Sequence, residues 1–175
     1  MTSEGEYGTL LQSEFGTNLQ NCKTIIGHPG GVHEDNMYLI AKLSSLDEVH
    51  NVIEFGSGLS SLVLGQALEG SGVGFVSMED HPHWADVGNS GLERLGIPHR
   101  IISTLCDPNN CPSFDHGFEI AFLDGNIFHR LEQSNEPGLQ VGAPSEMSSY
   151  IGRGGALMYY EEQLKDAVLI WDDAE

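Results

Sequence analysis

Apolar residues along this chain form two alternating kinds of segment. Short runs of strand length occur near residues 52–55, 74–78, 100–103, 119–123 and 167–171. Segments with apolar residues at helical spacing lie near residues 34–46, 59–68, 82–95 and 156–164. Glycine, proline or acidic residues separate the two kinds. This alternation predicts an α/β fold, with a doubly wound and mostly parallel sheet of about five strands.

Two segments lie outside this alternation. Residues 1–33 are polar and glycine-rich, and the pattern predicts only a helical turn around residues 10–15 and an extended piece at 25–26. Residues 134–155 are too long and too rich in glycine and proline for an ordinary connection, which predicts a flap or an ordered insertion. Without a repeat or a clear boundary, the 175 residues are predicted to form one domain.

The first strand leads into a glycine turn and then directly into a helix. Gly56 and Gly58 allow backbone conformations that are closed to other residues, and they let a ligand approach the chain closely. The N–H groups of the first helical turn then point towards that ligand, and Ser57 or Ser60 is the candidate cap. A strand, a glycine turn and a helix in this order form a nucleotide-cofactor site in doubly wound folds.

Charge is the most unusual property of the composition. The chain has 26 acidic and 7 basic residues, for a formal net charge of -19. Such a chain repels phosphate backbones and anionic membranes, so we expect neither nucleic acid nor a membrane as a partner. A solvated acidic surface explains the charge, and a halophilic host with a salt-rich cytoplasm is a sharper hypothesis.

No apolar run reaches the roughly 20 residues that span a membrane. The first residues also lack the basic and apolar regions of a signal peptide. A cytoplasmic protein is therefore the expectation. The three cysteines, Cys22, Cys106 and Cys111, have neither zinc-site spacing nor an even count, which predicts free thiols.

Acidic residues mark the carboxyl ends of the predicted strands, where parallel sheets bind ligands. They are Glu54 in the first strand, Glu79 and Asp80 after the second, Asp124 after the fourth, and Asp172 and Asp173 after the fifth. Glu79 is the most informative, because an acid roughly 20 residues beyond the glycines binds ribose hydroxyls in dinucleotide folds.

Four segments in order resemble the motifs of class I S-adenosylmethionine-dependent methyltransferases. The first motif is similar to VIEFGSGLSS at 52–61, and the end of the second strand is similar to VSMEDHPHW at 76–84. The fourth strand resembles FEIAFLDGN at 118–126, and the approach to the fifth resembles the stretch from residue 151 onward. The resemblance runs from about residue 34 to residue 175. It implies S-adenosylmethionine as the cofactor and a small-molecule or sugar-like methyl acceptor.

The resemblance also implies a role for each matching residue. Glu54 orients the glycine turn, Gly56, Ser57 and Gly58 pass beneath the cofactor, Glu79 binds the ribose, Asp80 or His81 lies near the adenine, and Asp124 faces the sulfonium and the acceptor. The candidate catalytic residues are Asp124 and, where the acceptor needs a base, His81. For Trp84 and Tyr159–Tyr160 we expect a place in the helix core, and stacking on an aromatic acceptor is the alternative.

Some relatives bind acceptor hydroxyls through magnesium. Asp124, Asp172 and Asp173 are the corresponding oxygen ligands here, and a plain polar strand end is the alternative. The family's sheet usually has two further strands, which the resemblance does not find in this chain. A second copy, another partner or the N-terminal segment then covers the apolar edge at Ala167–Trp171, unless the chain is a minimal form of the fold. Of these we expect an oligomer that pairs edge to edge.

Two other functions compete with methyl transfer. One is a non-catalytic structural or interaction module that keeps the fold but has lost part of the methyltransferase sheet. The other is a nicotinamide-dependent oxidoreductase, although Ser61 stands where that fingerprint has its third glycine. Fold alone does not decide among the three, and calorimetric titration with the cofactor would.

Overall fold

The computed structural model describes residues 5–27, 33–79, 82–99, 101–103, 117–123 and 160–172. In chain order the elements are α1 (Glu6–Phe15), α2 (Leu19–Ile26), α3 (Glu34–Leu43), β1 (Asn51–Phe55), α4 (Leu59–Ala67), β2 (Gly74–Glu79), α5 (Pro82–Leu95), β3 (Ile101–Ser103), β4 (Ile120–Leu123), α6 (Glu161–Leu164) and β5 (Val168–Trp171). The predicted flap at 134–155 lies outside the described residues.

The five strands form one parallel sheet in the order β3-β2-β1-β4-β5. This confirms the predicted α/β class and the parallel pairing, and the described residues contain five strands, as predicted. The strand order reverses beside β1, because the chain moves outward to β3 on one side and to β5 on the other. In open parallel sheets a ligand crevice forms at such a switch point, beyond the carboxyl ends of the strands.

Both faces of the sheet are covered, which explains the apolar strand sequences. Val52 packs on one face with Ile40 of α3 and Leu64 of α4. On the other face Phe55 contacts Tyr160, with ring centroids 5.1 Å apart. Tyr160 is thus a fully buried core residue, as expected from the sequence. The one acid in β1, Glu54, must lie on the face of Val52 because side chains alternate along a strand.

Helix α5 packs unusually closely against its neighbours. A Cβ at Gly88 would lie 2.3 Å from Ile101 Cδ1, and one at Gly91 would lie 2.9 Å from Leu62 Cδ2. The two glycines lower helix propensity, but they are needed for this close approach. Between them, Asn89 pins the edge strand β3, because its side chain accepts from the N–H of Ile101 and donates to its C=O.

The N-terminal residues form two helices, where the sequence predicted one helical turn and an extended piece. The extended piece at residues 25–26 is wrong, since both residues belong to α2. Leu11 of α1 and Cys22 of α2 are fully buried against α3 and α4. Asn18 caps α2 by accepting from the N–H of Asn21 at 2.9 Å. The prediction failed because these helices are short, and their stability comes from burial against other helices.

Strand β5 is an edge of the sheet within the described residues. Val168, Leu169 and Trp171 are 54%, 39% and 38% exposed, whereas Ile170 is buried. That a second copy or another partner covers this edge stays a prediction.

One expectation drawn from composition concerns the state of the cysteines. Cys22 is a free, buried cysteine, whereas Cys106 and Cys111 lie outside the described residues. Burial raises the pKa of the Cys22 thiol to about 11, so it is protonated and unreactive at neutral pH.

Among the helices that the structure describes, none has the length and apolar character needed to cross a bilayer.

Candidate functional site

The centre of the candidate site is the glycine turn, residues 56–58, between β1 and α4. Gly56 and Gly58 have φ angles of 99° and 151°, which residues other than glycine rarely adopt. The N–H of Gly56 donates to the carbonyl of Met78 at 2.8 Å and so ties the turn to β2. Among the residues that the structure describes, none beyond its chain neighbours has an atom within 4 Å of where a Cβ of residue 58 would lie, so this part of the turn is not packed against them.

Glu79, the last residue of β2, is bound directly to this turn. Its Oε2 accepts hydrogen bonds from the N–H and the hydroxyl of Ser57, each at 2.9 Å. The side chain of Glu79 is only 1% exposed. The structure therefore brings together Glu79 and Ser57, which lie 22 residues apart in the sequence and were both predicted to bind the cofactor.

The start of α4 differs from the prediction that Ser57 or Ser60 caps it. Gly58 is the N-cap residue, and it has no side chain that can accept a hydrogen bond. The hydroxyl of Ser57 is bonded to Glu79, and the N–H of Gly58 instead donates to Ser61 Oγ at 3.3 Å. The N-terminus of α4 and the positive end of its dipole thus lie at the glycine turn.

Behind the turn, Glu54 is fully buried in the middle of the sheet. Its Oε2 accepts from Ser61 Oγ and from Ser77 Oγ, each at 2.6 Å. Ser77 in turn lies 3.0 Å from His99 Nε2. The sequence predicted that Glu54 orients the turn, and these contacts provide the physical connection through Ser61. Neither Ser77 nor His99 was among the predicted site residues.

A second buried acid lies at the carboxyl end of β5. Asp172 is fully buried, and its N–H donates to the carbonyl of Leu123, the last residue of β4. Its Oδ1 accepts from the side-chain amide of Asn36 at 2.8 Å. Asn36, in the first turn of α3, was missed in the sequence because nothing in its local pattern relates it to a residue 136 positions away.

Several predicted residues lie outside the described part of the chain. They are Asp80, His81, Asp124 and Asp173. Of the predicted magnesium ligands, the structure describes Asp172 alone. Among the residues that are described, no group of three or more His, Cys, Asp or Glu side chains is placed to hold a metal ion.

Comparisons with known proteins bear on the fold. No protein-family model matches the sequence, and no curated protein resembles it significantly. Solved structures do match. S-adenosylhomocysteine-bound PaMTH1, a methyltransferase of Podospora anserina, has a TM-score of 0.59 at 10% identity, over 98% of this chain and 71% of its own.

Two further structures match over less of their own length. Cofactor-bound Rv0187 from MTB has a TM-score of 0.51 at 17% identity, over 75% of this chain and 65% of its own. A methyltransferase from Thiobacillus denitrificans, in complex with S-adenosylhomocysteine, has a TM-score of 0.51 at 12% identity, over 87% and 53%. At such identities the likeness establishes the fold: this chain has the class I methyltransferase fold.

Proposed function

We propose that this chain binds S-adenosylmethionine and transfers its methyl group to a small-molecule or sugar-like acceptor. The observation that carries the proposal is the buried carboxylate of Glu79, held on the glycine turn by two hydrogen bonds from Ser57. A carboxylate beside a glycine turn, at the switch point of a parallel sheet, suits a ribose. PaMTH1 and the Thiobacillus methyltransferase, which share the fold, bind the demethylated cofactor.

The residues present fit such a cofactor. Within the described part of the chain, no atom beyond the neighbouring residues lies within 4 Å of the position that a Cβ of Gly58 would take, which leaves room for a ligand beside the backbone. A carboxylate accepts up to about four hydrogen bonds, so Glu79 can serve Ser57 and a ribose together. The first turn of α4 offers backbone N–H donors at the same place.

The bound cofactor supplies a methyl group on a sulfonium, which is already a good leaving group. The chain then has to align the acceptor and, where the acceptor requires it, accept a proton. In our proposal the glycine turn and Glu79 hold the cofactor, and Asp80 lies near its adenine. Asp124 and His81 remain the proposed catalytic residues from the sequence.

On the acceptor side we propose Asp172, fixed by Asn36. The amide of Asn36 donates to Asp172 Oδ1 at 2.8 Å and so fixes the orientation of the carboxylate, whose oxygens are hydrogen-bond acceptors suited to substrate hydroxyls. Magnesium held by Asp124, Asp172 and Asp173 stays a prediction from the resemblance. Removing metal with EDTA before an activity measurement tests it, and full activity after removal would contradict it.

Calorimetric titration with S-adenosylhomocysteine tests the proposal. We expect saturable binding to the wild type, and binding about tenfold weaker or worse in Glu79→Gln. Gln keeps the size of the side chain but loses the charge. Hydrogen bonds to charged groups contribute roughly 1 to 1.5 kcal/mol more than hydrogen bonds between neutral groups. Glu93→Gln, an exposed acid on α5, is the matched control and should bind like the wild type.

The same titration separates the competing functions. No binding at millimolar S-adenosylhomocysteine would refute cofactor binding and favour the non-catalytic module. Binding of a nicotinamide cofactor instead would favour an oxidoreductase. Equal affinity of the wild type and Glu79→Gln would refute the role of Glu79.

A further inference from the structure

A chain of hydrogen-bonded polar side chains connects the glycine turn to the interior of β1 and β2 and to the residues after α5. We call it the hydroxyl network; its members are Glu54, Ser61, Ser77 and His99. Glu54 Oε2 is the common acceptor for the two serine hydroxyls, each at 2.6 Å. The network begins at the N–H of Gly58, which donates to Ser61 Oγ. It ends at His99 Nε2, 3.0 Å from Ser77 Oγ.

The pairing of β1 and β2 creates this network. Glu54 and Ser77 are direct partners in the parallel register. Glu54, Ser61 and Ser77 are fully buried, so their hydrogen bonds do not compete with water. His99, in the connection between α5 and β3, stacks on Phe75 with ring centroids 4.2 Å apart and an interplanar angle of 19°.

The number of hydroxyl hydrogens fixes the direction of these bonds. Ser77 has one hydroxyl hydrogen, and it donates that hydrogen to Glu54. The contact between Ser77 and His99 then requires the histidine to be the donor through Nε2–H. His99 therefore donates to Ser77, and Ser77 donates to Glu54.

We propose that Ser77 and His99 are positioning residues for the cofactor site, acting through Glu54 and Ser61 on the glycine turn. Neither residue belongs to the glycine turn, because Ser77 lies within β2 and His99 follows α5. Their effect on the turn therefore passes through Glu54 and Ser61. With the Ser77 hydroxyl removed, Glu54 loses one of the bonds that set the orientation of its carboxylate. Ser61, and with it the N–H of Gly58, is then held less firmly. The inference rests on the proposed function.

Affinity for S-adenosylhomocysteine, measured by calorimetry, is the first test. We expect Ser77→Ala to weaken binding about tenfold, which corresponds to one hydrogen bond of about 1.4 kcal/mol. Ser77→Thr keeps a hydroxyl in the strand and should restore binding to near the wild-type value. His99→Phe keeps a ring against Phe75 but has no Nε2–H, and should weaken binding severalfold.

Val76→Ala is the matched control for a purely structural effect. Val76 is buried next to Ser77 but belongs to the core on the opposite face of the sheet. It should lower the urea midpoint at least as much as Ser77→Ala does, yet leave affinity unchanged. If the two variants lose affinity in proportion to stability, or if Ser77→Thr binds as poorly as Ser77→Ala, the positioning role is refuted.

The nitrogen chemical shifts of His99, read by NMR, test the bond directions without any cofactor. We expect the neutral tautomer with hydrogen on Nε2. Hydrogen on Nδ1 would make Nε2 an acceptor and direct the Ser77 hydroxyl away from Glu54, which would overturn the network as described. A wild type that binds no S-adenosylhomocysteine refutes the proposed function and this positioning role together. Wild-type binding that is unaffected by Ser77→Ala refutes the positioning role alone.

Discussion

Acidification should destabilise the folded chain through His99. Burial lowers the pKa of His99 to about 4 from an ordinary value of 6.5, and a hydrogen bond to the Phe75 backbone, which favours the protonated ring, offsets only part of this change. The unfolded chain therefore binds a proton at this side chain once the pH falls below about 6.5, whereas the folded chain does so only near pH 4. Between these values the free energy of unfolding decreases as the pH decreases.

The size of the effect follows from the same two values. A tenfold difference in proton affinity is worth about 1.4 kcal/mol. The interval from 6.5 to about 4 therefore corresponds to about 3 kcal/mol. This contribution is complete above the unfolded pKa of 6.5 and is lost progressively towards pH 4. It is a large share of the roughly 5 to 15 kcal/mol by which native proteins are stable.

Urea unfolding at a series of pH values checks this prediction, with His99→Phe as the comparison. Phenylalanine keeps a ring that can stack on Phe75 and cannot bind a proton. Because many carboxylates titrate in the same range, the informative quantity is the stability of the wild type minus that of the variant. We expect this difference to shrink by about 3 kcal/mol between pH 7 and pH 4. Removing the exposed His50 by His50→Gln is the control. Curves for the wild type and His99→Phe that stay parallel throughout would refute the reasoning.

The other predictions concern packing, salt and assembly. Gly88→Ala should lower the free energy of unfolding by about 1 kcal/mol, because a Cβ there would lie 2.3 Å from Ile101 Cδ1 and the overpacking cost of about 1 to 3 kcal/mol is offset by the roughly 1 kcal/mol that alanine gains over glycine in a helix. The exposed Ser90→Ala should change little, and equal stability of the two variants would contradict the packing argument. With a net charge of -19, the urea midpoint should rise as KCl increases from about 0.1 M to about 1 M, since the screening length falls from about 10 to about 3 Å; an unchanged midpoint would exclude the halophilic hypothesis. If β5 is an interface, light scattering should give the mass of an oligomer, and Leu169→Lys should reduce it to that of a monomer. A wild type that is monomeric at high concentration would contradict that interface.

The parts of the fold that the sequence predicted are those in which local pattern and final environment agree. The strand from residue 51 to 55 is apolar because both faces of the sheet are covered, and its glycine turn is marked by two positions that need positive φ. The helices α1 and α2 carry no comparable signal. They are only 10 and 8 residues long, and apolar residues such as Leu11 and Cys22 are buried because α3 and α4 lie beside them.

The candidate site was predicted in the same uneven way. Glu79 was predicted as a ribose ligand because its distance from the glycines is characteristic of such acids; the structure places it on Ser57, and ribose binding itself stays a prediction. Asn36 was missed because its bond to Asp172 depends on how α3 packs near the end of β5. No periodicity in the sequence encodes that contact.

Glu54 illustrates which features of a buried site can be predicted from the sequence and which cannot. A carboxylate inside an apolar strand must find donors, because burying it without hydrogen bonds is costly. That requirement can be stated from the sequence, but the identity of the donors cannot, since it depends on the register between strands. Once β1 and β2 are paired, Ser77 lies opposite Glu54, and the polar residue in the middle of the apolar strand GFVSM has its explanation. In our proposal the cofactor binds at the glycine turn, and the pairing of β1 with β2 places Glu54 and Ser77 where they can hold that turn in position.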